Sequence, residues 1–207
     1  MDIAIAGIHT GIGKTVCSSV LCQAMGFDYW KPVQAGDLEH SDTMFVQKHI
    51  HRETCIFHPE RYRLLEAASP HYAASLEQIE MKKEDFVLPE SQHSILVETA
   101  GGLMSPLGAD FLIIDLISHL HLPVILVSSH YLGSINHTLL SHALLKSRNI
   151  EVIGIVFVGK PSAQSEQYIL EYTQLPLLFS IPHFDALNPE VLQSFANSLE
   201  IQLPQHG

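Results

Sequence analysis

The segment Gly7-Ile8-His9-Thr10-Gly11-Ile12-Gly13-Lys14-Thr15 sets glycines, a lysine and a hydroxyl at the spacing that cradles a nucleotide triphosphate, and it directly follows the apolar run Ile3-Ala4-Ile5-Ala6. A strand feeding a glycine-rich turn and then a helix presents backbone N–H groups and the positive end of the helix dipole to phosphate oxygens. In that setting Lys14 reaches the outer phosphates as a point charge, and the Thr15 hydroxyl offers a ligand to Mg²⁺. Five residues rather than the usual four separate Gly7 from Gly13, so the loop carries one extra residue.

Two carboxylates stand where such a loop needs them. Glu98 closes an apolar run and opens Glu98-Thr99-Ala100-Gly101-Gly102, and Asp42 lies in His40-Ser41-Asp42, where a helix begins. With Thr15 they supply the hard oxygen donors that Mg²⁺ prefers, phosphate oxygens and water completing the octahedron. Taken alone, Asp42 is more often a helix N-terminal residue complementing the dipole, and it is the company of the glycine loop that makes it a ligand candidate. Lys31, in Trp30-Lys31-Pro32-Val33-Gln34-Ala35-Gly36, is either an ordinary surface lysine or a cation that stabilises charge on a transferring phosphoryl group or oxyanion. Leu132-Gly133-Ser134-Ile135-Asn136-His137 repeats the strand–turn–helix logic, and its helix N-terminus suits a second anion such as a carboxylate.

To position these groups the chain needs strands that end together. Apolar, β-branched runs recur at 3–6, 29–33, 95–97, 124–127, 152–158 and 175–181. Runs apolar at nearly every position suit strands buried on both faces of a parallel sheet. Helical patterns fall between them at 14–25, 42–50, 71–80, 109–120, 135–148, 164–173 and 188–198, while 52–91 is less regular. The alternation predicts one α/β domain over 1–207: a doubly wound, mostly parallel sheet with helices on both faces, of the P-loop NTPase kind. Ligands of such sheets sit at the carboxyl ends of the strands, which selects Lys31, Glu98, 128–133 and the residues from Pro182 onward.

Composition narrows the partners. A formal charge of −11 argues against nucleic acid, whose backbone needs clustered Lys and Arg, although fourteen histidines make that balance sensitive to mild acid. No apolar stretch is long enough to span a bilayer and no signal-peptide pattern opens the chain, so a soluble, cytoplasmic protein is expected. Cys17, Cys22 and Cys55 form no C-x-x-C pair and read as core residues. The close histidine pairs, His49 with His51 and His119 with His121, lack further ligands at zinc spacing and read as solvent-facing or hydrogen-bonded side chains.

These motifs, in this order and at these separations, resemble the dethiobiotin synthetases, the ATP-dependent carboxylases of biotin biosynthesis. The resemblance covers nearly the whole chain. It rests on the 7–15 loop, 31–36, Ser41-Asp42, Ser69-Pro70-His71, 97–102 with Ser105-Pro106-Leu107, 122–127, 132–137 and Ile181-Pro182. It implies a homodimer, with the site at the interface, that converts 7,8-diaminononanoate, CO₂ or bicarbonate, and ATP into dethiobiotin, ADP and phosphate. In the family, one amine is carbamylated, the carbamate attacks the γ-phosphate to form a mixed carbamic–phosphoric anhydride, and the second amine closes the ureido ring. Carried onto this chain, Gly11, Ile12, Gly13, Lys14, Thr15 and Val16 hold ATP, with Glu98, Gly101, Pro182, His183 and Phe184 completing the nucleotide site. Thr15, Asp42 and Glu98 hold Mg²⁺, and Lys31 is the catalytic lysine. Thr10, Lys31 and Ala35 face the diamine, while Gly133, Ser134, Ile135 and Asn136 come from the partner subunit to hold the substrate's carboxylate end.

The chain departs from the family pattern at four positions. Ala35 stands where Ser or Thr is usual, removing a hydroxyl expected on the substrate, a hydrogen bond worth about 0.5–1.5 kcal/mol. Val158 replaces an Asn that usually reads adenine, which loosens the expectation of strict ATP selectivity. His9 replaces an Asp and Thr99 a Gly. The alternative reading is a P-loop switch ATPase of the partitioning or septum-positioning type, acting by nucleotide-gated dimerisation. Those proteins carry an extra lysine early in the loop, where this chain has His9.

Overall fold

The computed structural model of the protein describes residues 1–203. In chain order, β1 (Ile3–Gly7) runs into the glycine loop and α1 (Lys14–Met25), followed by β2 (Asp28–Trp30), β3 (Val33–Ala35) and α2 (Asp42–His49). Next come β4 (Phe57–His58), β5 (Tyr62–Leu64), α3 (Pro70–Leu76), β6 (Ile95–Gly102), and the hairpin β7 (Pro106–Gly108) and β8 (Phe111–Leu112). The second half alternates: α4 (Ile113–His119), β9 (Val124–Ser129), α5 (Ser134–Ser147), β10 (Val152–Val158), α6 (Ala163–Thr173), β11 (Leu177–Ile181) and α7 (Pro189–Asn197).

Seven strands form the central sheet in the order β11-β10-β9-β1-β6-β2-β4, and every neighbouring pair is parallel. The middle strands are buried along their length, from Ile3 to Gly7 in β1 and from Val124 to Ser128 in β9. That burial on both faces accounts for their unbroken apolar sequences. Helices α1, α2 and α7 pack on one another, as do α5 and α6. Right-handed crossovers place the two groups on opposite faces, because the chain steps one way along the sheet from β1 to β2 and the other way from β6 to β9, β10 and β11. The direction therefore reverses around β1. The loops after β1, β6 and β9 meet there, at the carboxyl edge, where ligands of such sheets bind.

The expected doubly wound α/β architecture is observed, with local corrections. The run read as one strand over 29–33 breaks at Lys31-Pro32: β2 stays in the central sheet and β3 pairs with β5 in a separate two-stranded sheet. Pro32 has no N–H for a central ladder and its ring fixes φ, so the chain turns there. The helix expected over 71–80 stops at Leu76, with Gln78 in the left-handed region at φ 57°. The helix expected from 109 begins only at Ile113, because the preceding residues form the β7–β8 hairpin. The strand expected from 175 starts at Leu177. Strands β4 and β5 fall in the stretch where periodicity was weak.

The three cysteines are buried free thiols. His49 donates to the Phe45 carbonyl at 2.8 Å and His119 to that of Phe86 at 3.1 Å, roles within the hydrogen-bonding structure. Among the described residues, no helix is long and apolar enough to cross a membrane.

Helix α1 starts at Gly13, whose φ of 94° lies in the left-handed region, and a Cβ added there would meet Val158 Cγ1 at 2.7 Å. The end of β10 thus lies directly against the loop. Gly13→Ala should destabilise the fold by about 2–4 kcal/mol, through backbone strain and overpacking together. Adding Val158→Ala should return only the overpacking share, a partition that urea denaturation of the single and double variants will measure.

Candidate active site

The helix that follows the glycine loop is left open at its N-terminus. No side chain caps α1, so its first-turn N–H groups point at the carboxyl edge without a protein partner from the cap. Gly11 sits on the exposed loop in the left-handed region, Ile12 is buried beneath it, and Lys14 folds back so that Nζ donates to the His9 carbonyl at 3.1 Å. Burial pushes the Lys14 ammonium down to about 8, with Lys31 lowering it further and Glu98 and Asp42 opposing. A second cationic neighbour and a dry setting make this lysine eager for an anion.

Thr15, Lys31, Asp42 and Glu98 come together beside the loop. Thr15 Oγ1 lies 2.8 Å from both Asp42 Oδ1 and Glu98 Oε1. The Lys31 ammonium donates to Asp42 Oδ2 and, at 3.2 Å, to Glu98 Oε1. Glu98 is buried and also accepts from Ser18 Oγ at 2.7 Å and Tyr29 Oη at 3.0 Å. Burial alone would lower the Lys31 ammonium, but Glu98 and Asp42 outweigh it and hold it above the ordinary range. Burial likewise works to raise the Asp42 carboxyl, and Lys31, with Thr15 helping, holds it below the ordinary range.

This donor set fits a hard cation. The Thr15 hydroxyl has one proton and two carboxylate oxygens at hydrogen-bond distance, so one of the two contacts lacks a hydrogen at any moment. Anionic oxygens converging on a single hydroxyl are what Mg²⁺ recruits when it takes one or two carboxylates plus substrate phosphates. No group of three His, Cys, Asp or Glu suited to a metal occurs among the described residues.

Local structure explains each placement. The break at Pro32 leaves Lys31 at the mouth of the sheet rather than within a ladder. Ser41 caps α2 by accepting from Met44 N at 3.3 Å, and Gln34 Oε1 accepts from Asp42 N at 3.2 Å, fixing the first turn that carries Asp42. β6 delivers Glu98 beside β1 and β2, its neighbours in the sheet. Thr99 donates to the Ile5 carbonyl at 2.9 Å, so its hydroxyl ties β6 to β1.

Two hollows flank the site. One of about 390 Å³ exposes Lys31 and Asp42 and is lined by Thr10, Ala35, Ser69 and Gly101. Another of about 510 Å³ is walled by Leu103, Met104, Leu140 and Leu144 and bears His9 and His137. Thr10, Gly101 and Ser105 line both, so the two hollows share a ridge of small residues. A further hollow of about 520 Å³, among Met1, Asp2, His121 and Arg148, lies at the opposite edge and contains none of the candidate residues.

The remaining candidates divide. Val16 is half-buried behind the loop. Val158, packed on Gly13, pairs with Ile181, which carries the chain to Pro182, His183 and Phe184 at the same edge. Pro182 and His183 are exposed, and Phe184 packs edge-on against Phe195 at 5.6 Å between centroids. Gly133, Ser134, Ile135 and Asn136 form the start of α5 and line neither hollow, so one chain does not bring them to Lys31. Sequence reasoning missed Ser18 and Tyr29 as partners of Glu98 and Gln34 as the support of Asp42. Their spacing held the signal: Ser18 is one helical turn beyond Lys14, and Tyr29 lies two residues before Lys31.

A family model described as an AAA domain matches residues 2–191. The ATP-dependent dethiobiotin synthetase BioD of Christiangramia forsetii is 43% identical over 202 residues, covering 96% of this chain and 96% of that protein. The BioD of Cytophaga hutchinsonii is 42% identical over 94% of this chain and 95% of its own length. Among solved structures, a ParA family ATPase from Chlorobium tepidum TLS superposes with a TM-score of 0.49 at 12% identity, covering 94% of this chain and 97% of that one.

Replacing Lys31 with Met should cost about 3–5 kcal/mol, because it strands two carboxylates without their counter-charge. The pair's contribution holds between the lowered Asp42 value and the raised Lys31 value, fading as pH falls through the first or rises through the second. In urea titrations the gap between wild type and Lys31→Met should therefore narrow on acidification through the carboxylate range, and added Mg²⁺ should raise the variant's stability more than the wild type's.

Proposed function

The chain belongs to the ATP-dependent dethiobiotin synthetase family, and from that premise we propose that it closes the ureido ring of dethiobiotin from 7,8-diaminononanoate, CO₂ and ATP, releasing ADP and phosphate. It is an ATP-dependent ligase of biotin biosynthesis. The observation that carries the finer reading is the Lys31 ammonium held between Asp42 and Glu98, on a hollow that opens beside the phosphate loop.

The chemistry asks for that arrangement. A carbamate and a triphosphate are both anions and must be brought together against their repulsion. Lys14 and the open N-terminus of α1 hold the triphosphate. Lys31 stands where a carbamate oxygen approaches the γ-phosphorus and neutralises the charge shared between them. Thr15, Asp42 and Glu98 would hold Mg²⁺, which when bound supplies further positive charge to the phosphate oxygens. Thr10 and the wall at Ala35 receive the diamine end, and the ridge leads its hydrocarbon chain toward Leu103, Leu140 and Leu144. After the mixed anhydride forms, the second amine attacks its carbonyl carbon and phosphate departs.

A second copy of the chain completes the site in this reading. Leu132 and its neighbour Tyr131 are exposed, and so are Met104 and Leu140 on the apolar hollow. This patch supports a homodimer in which Gly133 to Asn136 of one chain reach the substrate carboxylate of the other. Residues 1–207 act as one unit, and a cytoplasmic location suits a consumer of ATP.

Protein supplied with Mg²⁺, ATP, bicarbonate and the diamine should form dethiobiotin and ADP in equal amounts, with ATP consumption falling to background when the diamine is omitted. ATP turnover that ignores the diamine counts against this reading. With Val158 at the end of β10, GTP and CTP should support turnover within about tenfold of ATP, a difference of about 1.4 kcal/mol; a far stricter ATP preference would mean that adenine is read elsewhere. Leu132→Asp should shift sedimentation toward monomer and lower dethiobiotin formation in parallel.

A further inference from the structure

Resting on the function proposed above, the chemistry of ring closure calls for one more hydrogen-bond donor. When the second amine adds to the carbonyl carbon of the mixed anhydride, an electron pair moves onto the carbonyl oxygen, and that oxyanion needs a donor already in place. The polar side chains lining the hollow at Lys31 are Thr10, Gln34, Asp42, Ser69 and Ser105. Lys31 itself donates to Asp42 and Glu98. Gln34 is held between the Gly36 carbonyl at 2.9 Å and Asp42 N at 3.2 Å, and Ser69 Oγ lies 3.1 Å from His71 Nδ1. Ala35, in the same hollow, has no hydroxyl to offer. The hydroxyls of Thr10 and Ser105 remain, and Thr10 is the one that the family resemblance already gives to the diamine.

Ser105 is rigidly placed. Its N–H donates to the Gly102 carbonyl at 3.0 Å, closing the turn that follows β6, and its carbonyl accepts from Ile113 N at 3.0 Å, at the start of α4. Its Oγ accepts from Gly102 N at 3.0 Å. That oxygen lies against the α-carbon of Gly101, where an added Cβ would run into it. Gly101 lines both hollows, as does Ser105, so the hydroxyl sits on the ridge they share. A hydroxyl carries one hydrogen and two lone pairs, and here one lone pair is taken by Gly102 N. The hydrogen has no acceptor among the described residues. An unspent donor on a fixed turn therefore borders the hollow that, in the proposed function, receives the diamine end.

We propose that Ser105 is a catalytic residue of ring closure, the donor that stabilises its oxyanion. As the second amine's nitrogen bonds to the anhydride carbonyl carbon, the carbonyl oxygen takes up the displaced electron pair and accepts the Ser105 hydroxyl hydrogen bond. The pair then returns to re-form the carbonyl, the bond from that carbon to the phosphate oxygen breaks, and phosphate leaves with its electrons. The surplus proton on nitrogen passes to water. Ser105 neither gains nor loses a proton; it lowers the energy of the charged oxygen while that charge exists.

The test measures ADP and dethiobiotin together. A carbamic–phosphoric anhydride left waiting for a slow amine attack is hydrolysed to amine, CO₂ and phosphate, so a variant impaired in ring closure alone consumes ATP without making product. Ser105→Ala should lower kcat for dethiobiotin formation by about a hundredfold. Its ADP release should fall far less, so that ADP exceeds dethiobiotin several-fold, and its binding of a fluorescent ATP analogue should match wild type. Ser105→Thr, which restores the hydroxyl, should return both the rate and the one-to-one ratio. The proposal is overturned if Ser105→Ala loses ADP and dethiobiotin in the same proportion, as a collapsed turn would, if it loses neither, or if Ser105→Thr is as uncoupled as the alanine variant. Should Ser105→Ala not fold, Ser105→Cys, nearly isosteric but a weaker donor, takes its place in the same comparison. Wild-type protein that forms no dethiobiotin overturns the functional reading and this proposal together, whereas coupled wild-type turnover with any of those failures overturns the proposal alone.

Discussion

An ammonium group buried between two carboxylates sets the terms for the whole carboxyl edge of the sheet. Taking Lys31, Asp42 and Glu98 out of water carries a desolvation cost that Coulomb attraction offsets only where every remaining polar atom is paired. The surroundings meet that demand. Glu98 receives hydrogens from α1 through Ser18 and from β2 through Tyr29, and Asp42 is steadied by Gln34 and by its place at the start of α2. Removing any one element would leave a buried charge short of partners, so the site and the packing of three strands and two helices depend on each other.

Such a cluster is poised rather than finished. Lys31 supplies the positive charge that the two carboxylates require in the free protein, while Thr15 offers one proton to two acceptors. In the proposed function, the triphosphate and its metal bring both the anion that Lys31 would serve and the cation that the carboxylates would serve. The free arrangement is thus a set of internal counter-ions with exchangeable partners. Low dielectric makes each of those exchanges energetically large.

The departures from the family pattern gain physical content from the fold. Thr99, in place of Gly, has a backbone carbonyl waiting for its hydroxyl and costs the site nothing visible. Val158 packs on the loop glycine, so the end of β10 limits the space beside the loop. Ala35 faces the Lys31 hollow without a polar atom. His9, on the exposed side of the loop, sets its ring in the wall of the apolar hollow, stacked on His137.

Much is legible in the sequence alone, and the reason is local. A glycine loop between an apolar strand and a helix encodes its conformation within about ten residues, and strands buried on both faces announce themselves by unbroken apolar runs, so the phosphate loop, the parallel sheet and the family follow from the chain itself. The short strands β4 and β5 and the break at Pro32 were harder, since two- or three-residue strands have no period to read and a proline in an apolar run competes with its neighbours' preference for strand. Only tertiary structure could decide that residues 15, 31, 42 and 98 share one set of hydrogen bonds, because that depends on strand order, crossover hand and register between segments far apart in sequence. It also decided that Gly133 to Asn136 lie apart from Lys31 in the same chain. Composition and spacing determine which groups are present; the reversal of direction around β1 determines which of them meet.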